Sequence, residues 1–196
     1  MGSGMIAQVT RVLGLAAMPR YVALLRGINV GGNKKVPMAQ LRELMEGLGY
    51  TGVATLLQSG NAVFTCKEKN LARVGTQLEA AIVKEFGFEV SVILRTRDEL
   101  EAVLKANPLP GAEDAPSRFL VTFLSEAPEP KRFAQFDPAE YLPDEFRLAG
   151  REIYARFPNG IGNSKLATVL SGTRLGVIPT ARNWSTVTKL LALADG

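Results

Sequence analysis

The chain has 196 residues, of which 46% are hydrophobic and 21% are charged, and its formal net charge is +4. This composition is ordinary for a globular protein and excludes a disordered or fibrous chain. No apolar run reaches the roughly 18 residues that span a bilayer, so we expect no membrane partner. The length allows one large or two small domains, because most domains hold about 100 to 150 residues.

Histidine is absent from the sequence, and this absence restricts the chemistry more than any other feature. Without an imidazole there is no Ser-His-Asp triad, no Cys-His pair and no histidine-ligated metal. The single cysteine, Cys66, forms neither an intramolecular disulfide nor a cysteine-based zinc site. We therefore predict no metal and no cofactor, expect a reducing, cytoplasmic location, and leave open whether the protein is an enzyme.

The first residues, 1–17, are interpreted as a tag, a leader or a misassigned start without a function of their own. Met18 offers a second possible start just before the first strand-like run. The apolar stretch from Val12 to Ala17 is too short and too weakly flanked for a secretory signal peptide.

Residues 18–96 are predicted to form the first domain. Tyr21 to Leu25 is a continuous apolar run, typical of a buried strand, and apolar residues from Met38 to Leu48 then recur with helical spacing. Two short apolar segments flank Gln58-Ser59-Gly60-Asn61, which predicts a hairpin because glycine and asparagine tolerate the backbone angles of a tight turn.

The same domain continues with a second helix and a last strand. Apolar spacing predicts the helix from Leu71 to Phe86, closed by Gly87, and residues 90–94 alternate as a strand does. The resulting order is β-α-β-β-α-β. This order predicts a ferredoxin-like α+β sandwich, with two helices on one face of an antiparallel four-stranded sheet.

Residues 97–196 are predicted to form a second, smaller α+β domain that ends in two helices. Thr96 and Glu99 have the spacing of a capping box, which predicts a helix that Asn107-Pro108 ends. The further predicted elements are a strand from Arg118 to Leu124, a short helix near Lys131 to Gln135, a hairpin turning at Ala149-Gly150-Arg151, a helix that starts near Asn163, and a final helix capped by Asn183.

Basic residues concentrate near both ends of the chain. Residues 20–42 include five basic residues and no acid, and residues 153–194 include five more without an acid, whereas the acids crowd the middle. If folding brings the two segments together, they form one positive site whose natural partner is an anion. The alternative is two solvated faces whose arginines pair with the central acids.

Three polar loops are placed where a ligand site would be expected. The loop from Arg26 to Lys35 follows a strand and precedes a helix, so its glycines allow backbone N–H groups to face a phosphate. Lys165 stands in the first turn of a predicted helix, which favours an anion or an acidic neighbour beside it, because the positive end of the helix dipole repels a cation. Thr180 to Trp184 opens the last helix. At each loop, turn and cap chemistry is the competing explanation.

Four strings along the chain carry a resemblance. They are Leu24-Leu25-Arg26-Gly27-Ile28-Asn29-Val30-Gly31-Gly32, Gln58-Ser59-Gly60-Asn61, Gly160-Ile161-Gly162-Asn163-Ser164-Lys165-Leu166 and Thr180-Ala181-Arg182-Asn183-Trp184. Together they resemble the family of domain of unknown function 1697, over nearly everything from Arg20 to Leu193. The resemblance implies a bacterial-type cytoplasmic protein with two α+β domains, the first ferredoxin-like, and it implies no activity.

The leading hypothesis is a basic site between the two domains that binds a phosphorylated or otherwise anionic ligand. A small ligand is favoured, and a nucleotide or nucleic acid is the second partner class. In this hypothesis two arginines fork onto the anion and Lys165 supplies a point charge. The predicted ligand-binding residues are Arg26, Asn29, Lys35, Gln58, Asn61, Ser164, Lys165, Arg182 and Asn183.

Two other hypotheses remain open from the sequence. The first is a small histidine-free enzyme in which Lys165 acts as a base or polarises a phosphate in a transferase-like reaction. The second is that the polar loops are purely structural and hold the two domains together. An enclosed cleft with Lys165 buried beside a carboxylate would favour the enzyme, and an open basic groove would favour binding.

Overall fold

A computed structural model describes residues 18–32 and 34–196, and the predicted tag, leader or misassigned start at residues 1–17 lies outside these described residues. In the described part the protein is α+β, with two antiparallel four-stranded sheets and six α-helices. The strands are β1 (Arg20–Leu25), β2 (Thr51–Leu56), β3 (Asn61–Thr65), β4 (Val92–Thr96), β5 (Phe119–Leu124), β6 (Glu145–Ala149), β7 (Glu152–Arg156) and β8 (Pro179–Asn183). The helices are α1 (Met38–Gly47), α2 (Leu71–Phe86), α3 (Arg97–Lys105), α4 (Pro130–Phe133), α5 (Lys165–Ser171) and α6 (Trp184–Asp195).

The first sheet has the strand order β2-β3-β1-β4, and β1 lies inside it, buried on both faces. Side chains alternate along a strand, so Tyr21 and Leu25 pack against α1 and α2, whereas Val22 and Leu24 face the other way. Burial on both faces explains why the sequence of β1 is a continuous apolar run rather than an alternating one.

The second sheet repeats the first in order and in register. Its order is β6-β7-β5-β8, in which β5 takes the place of β1. Leu24 pairs with Asn61 in the first sheet as Phe123 pairs with Glu152 in the second, and Leu25 pairs with Val92 as Leu124 pairs with Pro179. Each sheet is followed by a helix, α3 or α6. The chain is therefore an internal repeat of one β-α-β-β-α-β-α unit.

A shared apolar core joins the two halves. It contains Val22 and Leu24 of the first sheet, Val121 and Phe123 of the second, and buried side chains of α3 and α6, among them Trp184. One cluster thus lies against both sheets, so each half buries its inner face on the other. The outer face of each sheet has its own separate cluster under its own helices.

Most predicted elements agree with the structure. Both hydrogen bonds of the capping box at Thr96 and Glu99 are present, and Gly87 ends α2 in the left-handed conformation. Three predictions need correction. The last strand of the first sheet lies two residues later than predicted, α5 begins at Lys165 instead of near Asn163 and is capped by Ser164, and β8 was not predicted at all.

The missing strand has a physical explanation. In β8 the buried residues are Pro179, Thr180 and Arg182, two of them polar, whereas Ala181 is exposed. This inverts the usual alternation in which apolar side chains are buried and polar side chains face water, so the strand resembles a polar loop.

Candidate functional site

The nine predicted ligand-binding residues fall into three places. Five of them gather where β1 ends: Arg26 directly follows β1, Asn29 donates to the Gln58 carbonyl, and Arg182 donates to Asn61 and to the Leu25 carbonyl. Lys35 lies on the same loop as Asn29. Ser164 and Lys165 lie at the start of α5, and Asn183 caps α6.

The two cations on which the sequence hypothesis depends lie at opposite ends of one short helix. Arg26 donates from Nη2 to the carbonyl of Ser171, the last residue of α5, at 3.1 Å. Lys165 is the first residue of that helix, so its backbone lies about 9 Å from that of Ser171 along the helix axis. The structure therefore divides the predicted site into separate parts instead of one pocket lined from both halves.

Arg182 lies between the two halves and is buried, with 8% of its surface exposed. Its guanidinium donates across the interface to Asn61 Oδ1 and to the Leu25 carbonyl, so it joins the second half to the first. The sequence predicts Arg182 as a direct ligand contact, but its N–H groups are engaged within the protein. The acceptors are Asn61 Oδ1, Thr180 Oγ1 and the carbonyls of Leu25, Ser59, Gly60 and Ala181.

The acceptors around Arg182 are all neutral. Among the residues that the structure describes, no carboxylate lies within 4.0 Å of its guanidinium nitrogens. Burial alone lowers the pKa of Arg182, to about 10, so the group remains charged at neutral pH. The first half of the molecule is thus held to the second by a buried cation without a counter-ion.

Asn29 and Asn61 also have structural roles. Asn29 donates from Nδ2 to the carbonyls of Val36 and Gln58 and accepts from the Val36 N–H, which fixes the loop after β1 against the β2–β3 turn. Asn61 is the first residue of β3 and is fully buried. It donates to the Leu56 carbonyl while its oxygen accepts from Arg182.

The remaining residues near β1 leave polar groups at the surface. Lys35 and Gln58 are exposed, and Arg26 is partly buried. Lys34, which the ligand-binding prediction omits, is exposed beside them and donates to the Glu89 carbonyl at 2.7 Å. Arg26, Lys34, Lys35 and Gln58 together are called the basic loop surface below.

The turn beneath the basic loop surface requires a glycine. Gly60 has φ +80°, and a Cβ there would come within 2.7 Å of the Ile28 side chain and 2.8 Å of Leu25 Cβ. Glycine accepts both the angle and the close approach. The β2–β3 turn is therefore packed directly on the end of β1, above Arg182.

Ser164 and Lys165 line a different cavity, of about 220 Å³. Ser164 Oγ donates to Asp144 Oδ2 at 2.6 Å and accepts from the Ala167 N–H, so it acts as a helix cap. Lys165 is 69% exposed, with Nζ 3.8 Å from the Glu140 carboxylate and 5.6 Å from the ring centroid of Tyr141. The sequence predicts an anion or acidic neighbour for Lys165, and Glu140 is that neighbour.

Asn183 caps α6, which agrees with the alternative explanation of its motif by cap chemistry instead of ligand binding. Its Oδ1 accepts from the N–H and the hydroxyl of Thr186, at 2.8 and 2.7 Å. Trp184 beside it is buried in the shared core. The motif at 180–184 therefore combines a strand, a cap and a core anchor.

Arg95 is the counterpart of Arg182 in the repeat, and sequence reasoning did not single it out. Both arginines stand one residue before the cap of the helix that follows their half. Arg95 Nη2 donates to the Leu124 carbonyl as Arg182 Nη2 donates to that of Leu25, each at 2.8 or 2.9 Å. An arginine directly before a capping residue is the shared signal.

A cavity of about 350 Å³ lies along β4, which is an edge strand of the first sheet. It is lined by α2, by β4, and by Ser125 and Arg151 of the second half. Ser125 follows β5, and the equivalent residue in the first half is Arg26, which follows β1. The Arg26 side chain reaches α5 of the second half. The serine is shorter than the arginine and leaves the space beside α2 open.

Other kinds of site were considered across residues 18–32 and 34–196. In this part of the chain, no group of three or more cysteine, aspartate or glutamate side chains is placed to hold a metal ion. None of the helices described there has both the length and the apolar character needed to cross a membrane.

Comparison with solved structures finds a bacterial protein of similar structure. The conserved bacterial protein SP0830 from Streptococcus pneumoniae has a similar structure, with a TM-score of 0.71 and 26% sequence identity. The similarity covers 91% of this chain and 99% of that one. A search of curated proteins found no match.

The sequence profile of a protein family of unknown function, DUF1697, matches residues 18–154. This range contains the whole first half and the second half as far as β7. It is more than half of the chain, and the family is the one that the four sequence strings resemble. This chain therefore belongs to the DUF1697 family.

Proposed function

We propose that this protein binds a phosphorylated or otherwise anionic small molecule at the basic loop surface. The observation that supports this most is the buried, charged Arg182 under the two loops, surrounded by neutral acceptors only. A buried charge is screened less than an exposed one, so its field reaches the surface above it. That surface attracts anions.

The exposed cations add to this field. Among the described residues, Arg26, Lys34 and Lys35 have no carboxylate within 4.0 Å. Glu89 lies nearby, because its carbonyl accepts from Lys34, and it is the acid that opposes the local charge. Arg26 and the two lysines would contact the anion, whereas Asn29 and Asn61 hold the loops that carry them.

A small ligand is proposed in preference to nucleic acid. The exposed large hydrophobic residues on these loops are Val30 and Leu57, both aliphatic. Proteins that bind single-stranded nucleic acid usually stack bases on aromatic side chains. The transferase-like reaction is not proposed, since Lys165 is mostly exposed and lies at the far end of α5.

The finer description of the fold is likewise a proposal. We propose that residues 18–96 and 97–196 are two domains, and that the first is ferredoxin-like. The order β2-β3-β1-β4 with α1 and α2 on one face supports this description. A reducing, cytoplasmic location is proposed on the single cysteine, Cys66, which is buried and unpaired in the described part of the chain.

Calorimetric titration with inorganic pyrophosphate and with adenosine diphosphate, at low and high salt, tests the binding proposal. The double variant Lys34→Ala/Lys35→Ala is expected to bind about tenfold more weakly or worse, since each lost charge-assisted bond contributes about 1.5 to 3 kcal/mol. Affinity of the unchanged protein is expected to fall as salt rises.

The matched control is Lys69→Ala/Lys131→Ala, which removes the same charge from two exposed lysines on other surfaces. This control is expected to keep the affinity of the unchanged protein. Equal losses in both double variants, or binding that salt does not weaken, would contradict the proposed site.

A further inference from the structure

The free edge of β4 has a defined backbone pattern. The Arg26 N–H donates to the Ser91 carbonyl at 2.9 Å, and the residues of β1 and β4 pair in antiparallel register from there. Because hydrogen-bonded residues alternate in such a ladder, the N–H and carbonyl groups of Val92, Leu94 and Thr96 point away from β1. Of these three residues, Val92 and Leu94 line the cavity.

Several of these outward groups are already satisfied by side chains. Glu79 of α2 accepts from the Val92 N–H at 2.8 Å, and Glu99 accepts from the Thr96 N–H at 2.7 Å. Arg95 Nη1 donates to the Leu94 carbonyl at 2.9 Å. These contacts close both ends of the edge against another strand.

Two outward groups lack a partner among residues 18–32 and 34–196: the Val92 carbonyl and the Leu94 N–H. Both residues line the 350 Å³ cavity. A carbonyl and an N–H two residues apart are the pair that a parallel strand uses, because one residue opposite Ile93 donates to the first and accepts from the second. An antiparallel neighbour can reach the same two groups through the residues on either side of the one opposite Ile93, so the charges at the ends of the cavity decide the direction.

The charges at the two ends of the cavity favour a peptide that runs parallel to β4. Glu79 lies at the Val92 end, and Arg151 lies at the Thr96 end, where its Nη2 bonds to Glu99 at 2.8 Å. A three-residue peptide parallel to β4 and centred on Ile93 has its amino end beside Val92 and its carboxyl end beside Leu94. Its ammonium group would therefore meet Glu79 and its carboxylate would meet Arg151.

The size of the cavity limits the ligand. From Val92 to Arg95 the strand extends about 10 Å, which is the length of three extended residues. The facing wall of α2 carries the small side chains of Ala72, Gly75 and Thr76. There is room for a backbone with small side chains between the helix and the strand.

We infer that this cavity binds a short peptide of about three residues with free termini, added to β4 as a parallel strand. The middle residue lies opposite Ile93 and makes both backbone hydrogen bonds. Glu79 recognises the ammonium group and Arg151 the carboxylate. This site involves Arg95 instead of Arg182, and its Val92 end lies next to the end of β1, where the basic loop surface begins.

Titration with trialanine, followed by NMR and calorimetry on the full chain, tests the inference. Trialanine is expected to slow hydrogen exchange of the Leu94 amide and to shift the resonances of Val92 and Leu94. N-acetyl-trialanine and trialanine amide, which lack one terminal charge each, are expected to bind about tenfold more weakly.

Glu79→Gln keeps an acceptor for the Val92 N–H and removes the charge. It is expected to weaken trialanine about tenfold and to leave N-acetyl-trialanine unchanged, while Arg151→Gln does the same for trialanine against its amide. The control is Glu85→Gln, an exposed glutamate on the same helix outside the cavity. Unchanged exchange at Leu94 at millimolar trialanine would overturn the site, and equal affinity for all three peptides would overturn the parallel orientation.

Discussion

The two buried arginines occupy the same position in the repeat but have different partners. Arg95 is 1% exposed and pairs with Glu152, whose side chain is 12% exposed, at 2.8 Å. Arg182 is placed in the same way but meets Asn61 at the position of Glu152. The repeat therefore preserves the arginine and its bonds to the opposite first strand, while the partner's charge differs.

The difference shows which part of the interaction the fold requires. In both halves the guanidinium satisfies the carbonyl that ends the first strand of the other half, Leu124 or Leu25. A carboxylate partner is not required for that bond. Burial lowers the pKa of Arg95 as it does that of Arg182, and Glu152 opposes the effect. Only the Arg182 region is left with an uncompensated positive charge.

The largest effects on the free energy of unfolding are expected when the contacts of Arg95 and Arg182 are removed in separate variants. Arg95→Met is expected to cost about 3 to 5 kcal/mol of unfolding free energy, because it leaves the Glu152 carboxylate buried without a cation. Arg182→Met is expected to cost less, about 1 to 3 kcal/mol, because only neutral acceptors are left. Urea denaturation at neutral pH measures both.

A rescue experiment tests the reason for that difference. Adding Glu152→Met to Arg95→Met removes the unpaired carboxylate and is expected to recover part of the lost stability. Adding Asn61→Leu to Arg182→Met removes no charge and is expected to recover less. Equal rescue in the two halves would show that the charge of Glu152 does not distinguish them.

A smaller effect concerns the helices that cover the two sheets. Gly75 lies five residues after the cap of α2, and the residue at the equivalent position of α5 is Val169. A Cβ at Gly75 would meet Leu94 Cδ1 at 3.7 Å, an ordinary contact. Gly75→Ala is expected to stabilise the protein by about 0.5 to 1 kcal/mol, measured by urea denaturation. Ala80→Gly on the same helix is expected to have the opposite effect of similar size.

The smallest effect concerns the residue that follows the middle strand of each half. Cys66 follows β3 as Phe157 follows β7, and both are buried. Burial is the main cause that raises the pKa of the Cys66 thiol, so the folded protein favours the protonated form. Its alkylation by iodoacetamide is expected to be much slower than that of an unfolded control.

The raised pKa of Cys66 also has a consequence for stability. The favourable contribution of the buried thiol to the free energy of unfolding is complete below the unfolded thiol pKa of about 8.5. It declines as the pH rises from there through the higher pKa of the folded protein. The decline between neutral and alkaline pH is expected to be smaller in Cys66→Ala, as measured by urea denaturation. An identical decline in both proteins would show that the thiol does not contribute.

The first half was predictable from the sequence because its signals are local. The apolar run at Tyr21 to Leu25, the helical spacing of α2 and the capping box at Thr96 each depend on neighbouring residues. These signals also placed the hairpin of the second half. The spacing of apolar residues and the capping residues were therefore enough to predict those helices and strands that bury an apolar face.

The candidate site was less predictable because its residues act across the interface. Arg182 and Asn61 meet only after the two halves pack, 121 residues apart in the chain. A buried arginine has no local signature that separates it from an exposed one, so charge counting placed Arg182 at the surface. The same reasoning joined Arg26 to Lys165, which the structure places at opposite ends of α5.

The reciprocal arginines also limit how the molecule can move. Each half sends a guanidinium from its last strand to the first strand of the other, so a hinge opening between the sheets would separate two buried cations from their acceptors in the other half at once. The shared core would be exposed by the same motion. We therefore expect ligands to reach either proposed site without a hinge motion, while the two sheets move as one body.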